Sequence, residues 1–380
     1  MNCTHGSGSG VLTGGGGCGG GIRLERLGRM LVIAFIYIGT VVGAGFASGQ
    51  EIWYFFSRYQ AGGTWGLLLS GVIFAGLGVK AMEWGRRIAA RSYLDFFGAV
   101  VGRQYALGCD LMLTVFLFLL VGIMLAGAGA VTAAFGWSWV LGTGAAVLGG
   151  ILVLLKPLAG LKGVNTLVVP LLGLTGLLLN LGGVGVPVPP VAAGPVSGSW
   201  FWVALQYSAY NLILALPVLV TLHRLEPDPR LLMGGGLLGG LSLSVLAFLF
   251  HLVLKNYDFH GIELPILFLT QNWRWGWPFF YSFVLWGELF TSLVANLYGL
   301  VSRFRLVQGR AYPWKLAFIL VLAALVSRFG FARLLQTVYP FYGCFALTIL
   351  VPMALRPLPG PRKRRIKPEK GGFLIKEKST

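Results

Sequence analysis

Acidic residues are scarce in this 380-residue chain: 12 Asp+Glu stand against 30 Lys+Arg, and charged residues make up only 11%. That little charge excludes a soluble globular domain and a disordered chain, both of which need a solvated polar surface. Cysteine is equally thin. Cys3, Cys18, Cys109 and Cys344 are the four, and no two sit at a metal or redox spacing. A disulfide scaffold and a zinc module are therefore excluded. The four histidines, His5, His223, His251 and His260, fall near span ends or in non-helical segments. HExxH, a nucleophile–base pair at a membrane surface and a nucleotide-binding motif are all missing from the sequence. Their absence argues against a metal-cluster protein, an intramembrane enzyme and a primary pump.

Apolar residues are what the chain has: 56% by composition, with 57 glycines and a mean hydropathy of +0.78. They come in long runs, so lipid is the expected solvent for most of the chain. A crossing of ~30 Å at 1.5 Å per residue needs ~20 apolar residues. Ten spans are predicted: 30–57, 64–83, 106–135, 138–155, 162–182, 200–222, 231–254, 277–302, 314–329 and 331–355. Residues 1–28 read as a disordered Gly/Ser-rich tail without the apolar core of a leader peptide. Either Met1 or Met30 can serve as the start. The expected organisation is a first five-helix repeat over 29–182, an external linker over 183–199, a second five-helix repeat over 200–355 and a basic tail over 356–380.

The formal net charge of +18 would suggest nucleic acid in a soluble protein. Here the basic residues lie between and after the apolar runs. With the N-terminus cytoplasmic, all 30 Lys+Arg except Arg58, Lys255, Arg274, Arg328 and Arg333 fall on the cytoplasmic side. The positive-inside rule accounts for that asymmetry. An even number of spans also returns the tail with Arg362–Arg365 to the cytoplasm. Trp53, Trp65, Trp137, Trp139, Trp200, Trp202, Trp273, Trp275 and Trp277 are expected to form an outer aromatic belt.

The first span is interrupted. Gly39, Gly43, Gly45 and Gly49, with Ser48, crowd its centre, and each glycine weakens a helix by ~1 kcal/mol. Such glycines either let helices pack closely or mark an unwound segment, tolerated in lipid only where protein or a cavity receives it. The sixth span carries its most polar stretch, Gln206–Asn211, at the same depth. Five spans per half forces the halves into opposite orientation, the arithmetic of inverted repeats.

Glu288 falls near the middle of the eighth span, with no Lys or Arg at matching depth, and a charged carboxylate there is expensive. Thr291 and Ser292 follow one turn on; their hydroxyls can bond back to helix carbonyls or hold a cation. Glu51 reads as a rim carboxylate beside Arg58 or as a candidate gate. Asp110 reads as an interfacial acid or a relay, and Asn211 and Asn296 as helix-to-helix bonding amides. Tyr339-Pro340-Phe341-Tyr342 predicts a kink. The segment 255–276 reads as a lid over the outer vestibule or as a helix resting on lipid.

The run Tyr37–Glu51 (YIGTVVGAGFASGQE) and the run Glu288–Gly299 (ELFTSLVANLYG) resemble YkvI-type membrane proteins, a family related to the amino acid–polyamine–organocation superfamily. The resemblance implies an all-α integral membrane protein of ten transmembrane helices. Its fold would be LeuT-like, a 5+5 inverted repeat with helices 1 and 6 broken around the substrate. It further implies a secondary active transporter in the cell membrane, carrying a small amino acid or related metabolite by alternating access. Val42, Gly43, Ala44, Gly45, Phe46, Ser48 and Gly49 would hold the solute, opposite Tyr207 and Asn211. Carbonyls of Gly39 and Val42, with Thr291, Ser292 and Glu288, would carry symport coupling to sodium or protons. Beyond sodium as a candidate coupling ion, no cofactor is implied. The expected partners are the bilayer and the solute, not nucleic acid. A nutrient sensor without transport, like a germinant-receptor subunit, is the other function the resemblance permits.

Overall fold

A computed structural model describes residues 18–155, 164–182, 199–271, 273, 276–303 and 312–360. The expected tail up to residue 17, most of the linker (183–198) and the basic tail from residue 361 lie outside these, as do Lys156, Lys162, Arg274, Trp275 and Arg305.

The described residues are helical, with no strand among them. The first span is α1 (Cys18–Val41), α2 (Ala44–Ala47) and α3 (Gln50–Phe55). There follow α4 (Ala61–Ile88), α5 (Tyr93–Val100), α6 (Arg103–Ala133), α7 (Trp139–Leu155) and α8 (Val164–Gly182). The second half holds α9 (Trp200–Leu219), α10 (Pro229–Leu254), α11 (Pro265–Thr270), α12 (Trp277–Arg303), α13 (Tyr312–Ser327) and α14 (Phe331–Leu355).

Six helical stretches among the described residues are long and apolar enough to cross a membrane: α4, α6, Trp200–Arg224, α10, α12 and α14. Shorter apolar helices run over Trp139–Leu155, Pro170–Leu181 and Tyr312–Ser327. Large apolar side chains such as Val72, Leu148, Phe283 and Phe318 point outward, as lipid rather than water would have them.

Packing sorts the helices into two groups. α10 packs on α4 and α1, and α9 packs on α4 and α1. Separately, α6 packs on α12, α7 and α13. α14 bridges them, touching α9 and α6. Small residues set the close approaches: a Cβ on Gly240 of α10 would lie 2.6 Å from the Ala75 nitrogen of α4. Such backbone proximity replaces the hydrophobic drive that lipid removes.

Polar bonds tie the segments at each end. At the N-terminal end, Arg29 donates from Nε and Nη2 to both oxygens of Glu226, and Arg303 reaches Asp110. At the other end, His251 lies between Ser57 and Thr64 at 3.1 and 2.9 Å.

Three expectations are corrected. The helix begins at Cys18, so residues 18–28 are not tail. Propagating an existing helix through Leu, Arg and Glu is easy once it is nucleated. The sixth span is not broken: α9 runs unbroken from Trp200 to Leu219. That stretch contains no glycine, and its polar groups are met without unwinding. Ser208 and Asn211 donate to the Ala204 and Tyr207 carbonyls, and Gln206 to that of Pro340. Trp53 is buried against Phe259 and His260 rather than in a lipid-facing belt, whereas Trp65, Trp137 and Trp202 are exposed as expected.

Gly240→Ala should lower the thermal unfolding midpoint in detergent by several degrees, the ~1–3 kcal/mol of an overpacked contact. Gly76→Ala on α4, where nothing lies within 4 Å, should raise it slightly, by up to the ~1 kcal/mol that Ala gains over Gly in a helix. Equal midpoints for the two variants would contradict the α4–α10 approach.

Candidate functional site

The first span is broken twice. Val42 and Gly43 are outside helix, and so are Ser48 and Gly49. Gly49 has φ +80°, a left-handed conformation open to glycine, which turns the chain into α3. Ser48 closes the turn: its hydroxyl donates to the Gly45 carbonyl and accepts from the Gln50 amide. Carbonyls released at this second break are received by protein. The Ala47 oxygen accepts from the Tyr281 hydroxyl of α12, and the Ser48 oxygen accepts from the Ile266 amide of α11 at 3.0 Å.

That last bond ties α11 to the first span. Ile266, Leu267 and Leu269 of α11 are buried against the bundle rather than laid on lipid. Glu263 secures α11, accepting from the Ala332 amide at the start of α14 at 2.6 Å.

Glu51 is where the turn matters most. It is 4% exposed and accepts a hydrogen bond from the Tyr210 hydroxyl of α9 at 2.9 Å. Its other oxygen rests on the backbone of Gly45, where a Cβ would lie 2.1 Å from it. Glu51 is thus not a rim carboxylate beside Arg58; Arg58 stacks over Tyr54 and donates to Tyr59. The kink at Gly49 folds α3 back and aims residue 51 at the break.

A cavity of about 500 Å³ reaches this point. The first break lines it through Gly39–Ala44, with Glu51, Tyr210, Asn211, Thr291, Ser292, Asn296 and Tyr339 around it. At the N-terminal end of the bundle its wall is Tyr93, Ser302 and Arg303. Arg303 is held there by Asp110 and by the Thr114 hydroxyl at 2.8 Å, and Tyr93 donates to the same Asp110 oxygen at 2.8 Å. Asp110 is therefore an ion-pair partner. Burial first, then the hydrogen bond to Asp110, push the Tyr93 hydroxyl up to about 12.

Of the residues expected to hold a solute, Val42, Gly43, Ala44 and Asn211 line this cavity. Gly45 backs Glu51. Phe46 turns away onto Phe250, and Ser48 and Gly49 lie beneath α11. Tyr207 sits in an aromatic cluster with Phe55, Phe56 and Phe74, outside the cavity wall. Gly39, Val42, Thr291 and Ser292 share the wall, with the Ser292 hydroxyl 3.9 Å from where a Gly43 Cβ would stand. Glu288 is 1% exposed and lies outside the wall, reached from it through the Ser292 hydroxyl at 3.4 Å. Tyr210 and Arg303 were not anticipated. Tyr210 falls inside the polar stretch 206–211, and its helical phase was the available signal. Among the described residues no group of three or more His, Cys, Asp or Glu is placed to hold a metal ion.

No protein-family model matches the chain. It is 32% identical over 347 residues to the uncharacterized membrane protein YkvI of Bacillus subtilis (strain 168), covering 88% of this chain and 97% of that protein. A second B. subtilis protein, the uncharacterized YyaD, is 24% identical over 332 residues, 85% of this chain and 95% of its own. Among solved structures, the manganese transporter of Eremococcus coleocola superposes with a TM-score of 0.54 over 90% of this chain and 80% of that one, at 12% identity. The chain belongs to the YkvI family of membrane proteins, and its fold is similar to that of the manganese transporter.

Two measurements check this geometry. Gly45→Ala should destabilise by ~1–3 kcal/mol through overpacking, and much less when Glu51 is already Ala. A thermal double-mutant cycle showing simple additivity would contradict the contact. Tyr93→Phe should lower the unfolding midpoint by an amount constant from pH 5 to 9. Because the Tyr93 hydroxyl titrates higher in the folded protein, its contribution is full below about pH 10 and lost as pH rises through about 12. A difference that changes across pH 5 to 9 would contradict it.

Proposed function

We propose that this chain is a secondary active transporter that moves a small amino acid or related metabolite across the cell membrane by alternating access. The observation that carries the reading is the cavity. It is lined by a broken helix and a buried carboxyl, with Tyr93, Ser302 and Arg303 also on its wall, while α11 packs on the second break. Transporters place solute sites at such interruptions, where backbone groups are free to bind and no lipid reaches them.

In this reading the three shorter apolar helices and the broken first span are crossings too, giving ten in a LeuT-like 5+5 arrangement. The group α1, α4, α9 and α10 rocks against α6, α7, α12 and α13. Each member of either group then has its counterpart five spans away in the same group, as inverted repeats require. With both termini cytoplasmic, the cavity faces inward and α11 closes the outer side. Sodium or proton coupling runs along the wall formed by Gly39, Val42, Thr291 and Ser292, with Glu288 behind it. Oxygen ligands of this kind suit a hard cation.

Purified protein in proteoliposomes should take up labelled amino acids under an imposed sodium or pH gradient. If sodium is the coupling ion, Thr291→Ala with Ser292→Ala should raise half-saturating sodium about tenfold or more, a loss of ~1.4 kcal/mol or more. Solute binding with no flux under any gradient would overturn transport in favour of a receptor. Sodium-indifferent wild-type flux would remove the sodium role.

A further inference from the structure

The cavity wall is electrically lopsided. Arg303 is the sole basic side chain on it among the described residues, and Asp110 neutralises that charge at the mouth. Glu51 is the sole acidic side chain on the wall among the described residues.

Among the described residues no ion pair to Glu51 is formed. From α9 come Tyr210, which bonds it, and Tyr207, with ring centroids 5.6 Å apart. From α14 comes Tyr339, 4.8 Å from the Tyr210 ring. The segments α2 (AGFA) and α11 (PILFLT) hold no titratable residue. From α10, both ring nitrogens of His251 are engaged by Ser57 and Thr64. On the chain following α3, Arg58 keeps its charge but turns to Tyr54 and Tyr59 and forms no ion pair with Glu51. From α12, the Tyr281 hydroxyl bonds the Ala47 carbonyl and Glu288 is bonded by Ser292.

A carboxylate buried this deeply without a cation is strongly disfavoured. The carboxyl is therefore either protonated or paired with a cation, and because Glu51 lines the cavity both can reach it. We propose that Glu51 holds a proton and the ammonium group of the solute in alternation, so that the chain selects amine-bearing solutes and exchanges them for protons. As the ammonium docks, the O–H bond of the Glu51 carboxyl breaks and its proton leaves through the cavity to water. The amine keeps its own proton, so the net charge at the site does not change. Exchange follows because one carboxylate cannot hold both cations at once. The flux rests on the transporter reading above; the binding does not.

The test uses the purified full chain in detergent, with alanine, lysine and putrescine as amine probes. Propionate and N-acetylalanine serve as amine-free counterparts, and manganese chloride as an inorganic cation. Calorimetric titration should show at least one amine binding, with affinity weakening as the pH falls by up to about tenfold per unit, the linkage of one proton to one ligand. Glu51→Gln should weaken that amine about 100-fold or more and abolish the pH dependence, whereas Glu51→Asp keeps both the amine preference and the slope. Four outcomes overturn the proposal: no amine binds; the amine-free compounds or manganese bind as well as the amines; the affinity ignores pH; or Glu51→Gln binds as wild type does. In proteoliposomes loaded with a pH dye, the bound amine added outside should alkalinise the lumen. Proton-linked binding without that flux would remove the transporter reading and leave the site standing.

Discussion

Hydrocarbon offers no partner to a peptide group that has left its helix, and the arrangement of this bundle answers to that constraint. The first span leaves helical geometry at Val42–Gly43 and again at Ser48–Gly49. At the second break the freed carbonyls are received by the Tyr281 hydroxyl and the Ile266 amide, from two separate elements. At the first, the backbone lines a cavity. α11, α12 and the cavity are thus all placed by groups that an unbroken helix would have satisfied internally.

The acid in the chamber follows from the same break. A helix continuing past Ser48 would not have folded residue 51 back against residue 45. The left-handed turn at Gly49 does so, and Gly45 is bare enough to receive the carboxyl. Tyr210 supplies the one hydrogen bond the site gives Glu51, and aromatic rings close the space behind it. The glycines of this motif therefore have different tasks. Gly49 makes the turn, Gly45 makes room, and Gly43 leaves the wall open beside Ser292.

The two groups of helices meet along this chamber. α1 and α9 belong to one group and α6 and α12 to the other, and all four contribute residues to the wall. A solute held between them touches both bodies, so relative motion of the two would change its surroundings at both ends. Arg303 with Asp110 stands at one end, and Glu263 at the foot of α14 secures α11 at the other.

That the chain lies in lipid, roughly where its helices run, and that the first span breaks at its glycines are all legible in the sequence. These follow from local quantities: apolar length and glycine content. The sequence also singled out Thr291, Ser292 and Asn211, polar residues at mid-span depth that do line the chamber. Only the tertiary structure decided which acid faces the chamber. Glu288 drew attention because it is central in its own span, yet it sits behind Ser292; Glu51, which sequence position put at the rim, is on the chamber wall. Depth along a helix can be counted, but the direction of a side chain after a left-handed turn depends on Gly49 and on what packs above it. The same limit explains α9. Its polar residues suggested a break, but their partners lie one turn back in the helix or across on α14. Pairings with α14 join residues more than a hundred positions apart, where one-dimensional periodicity carries no information.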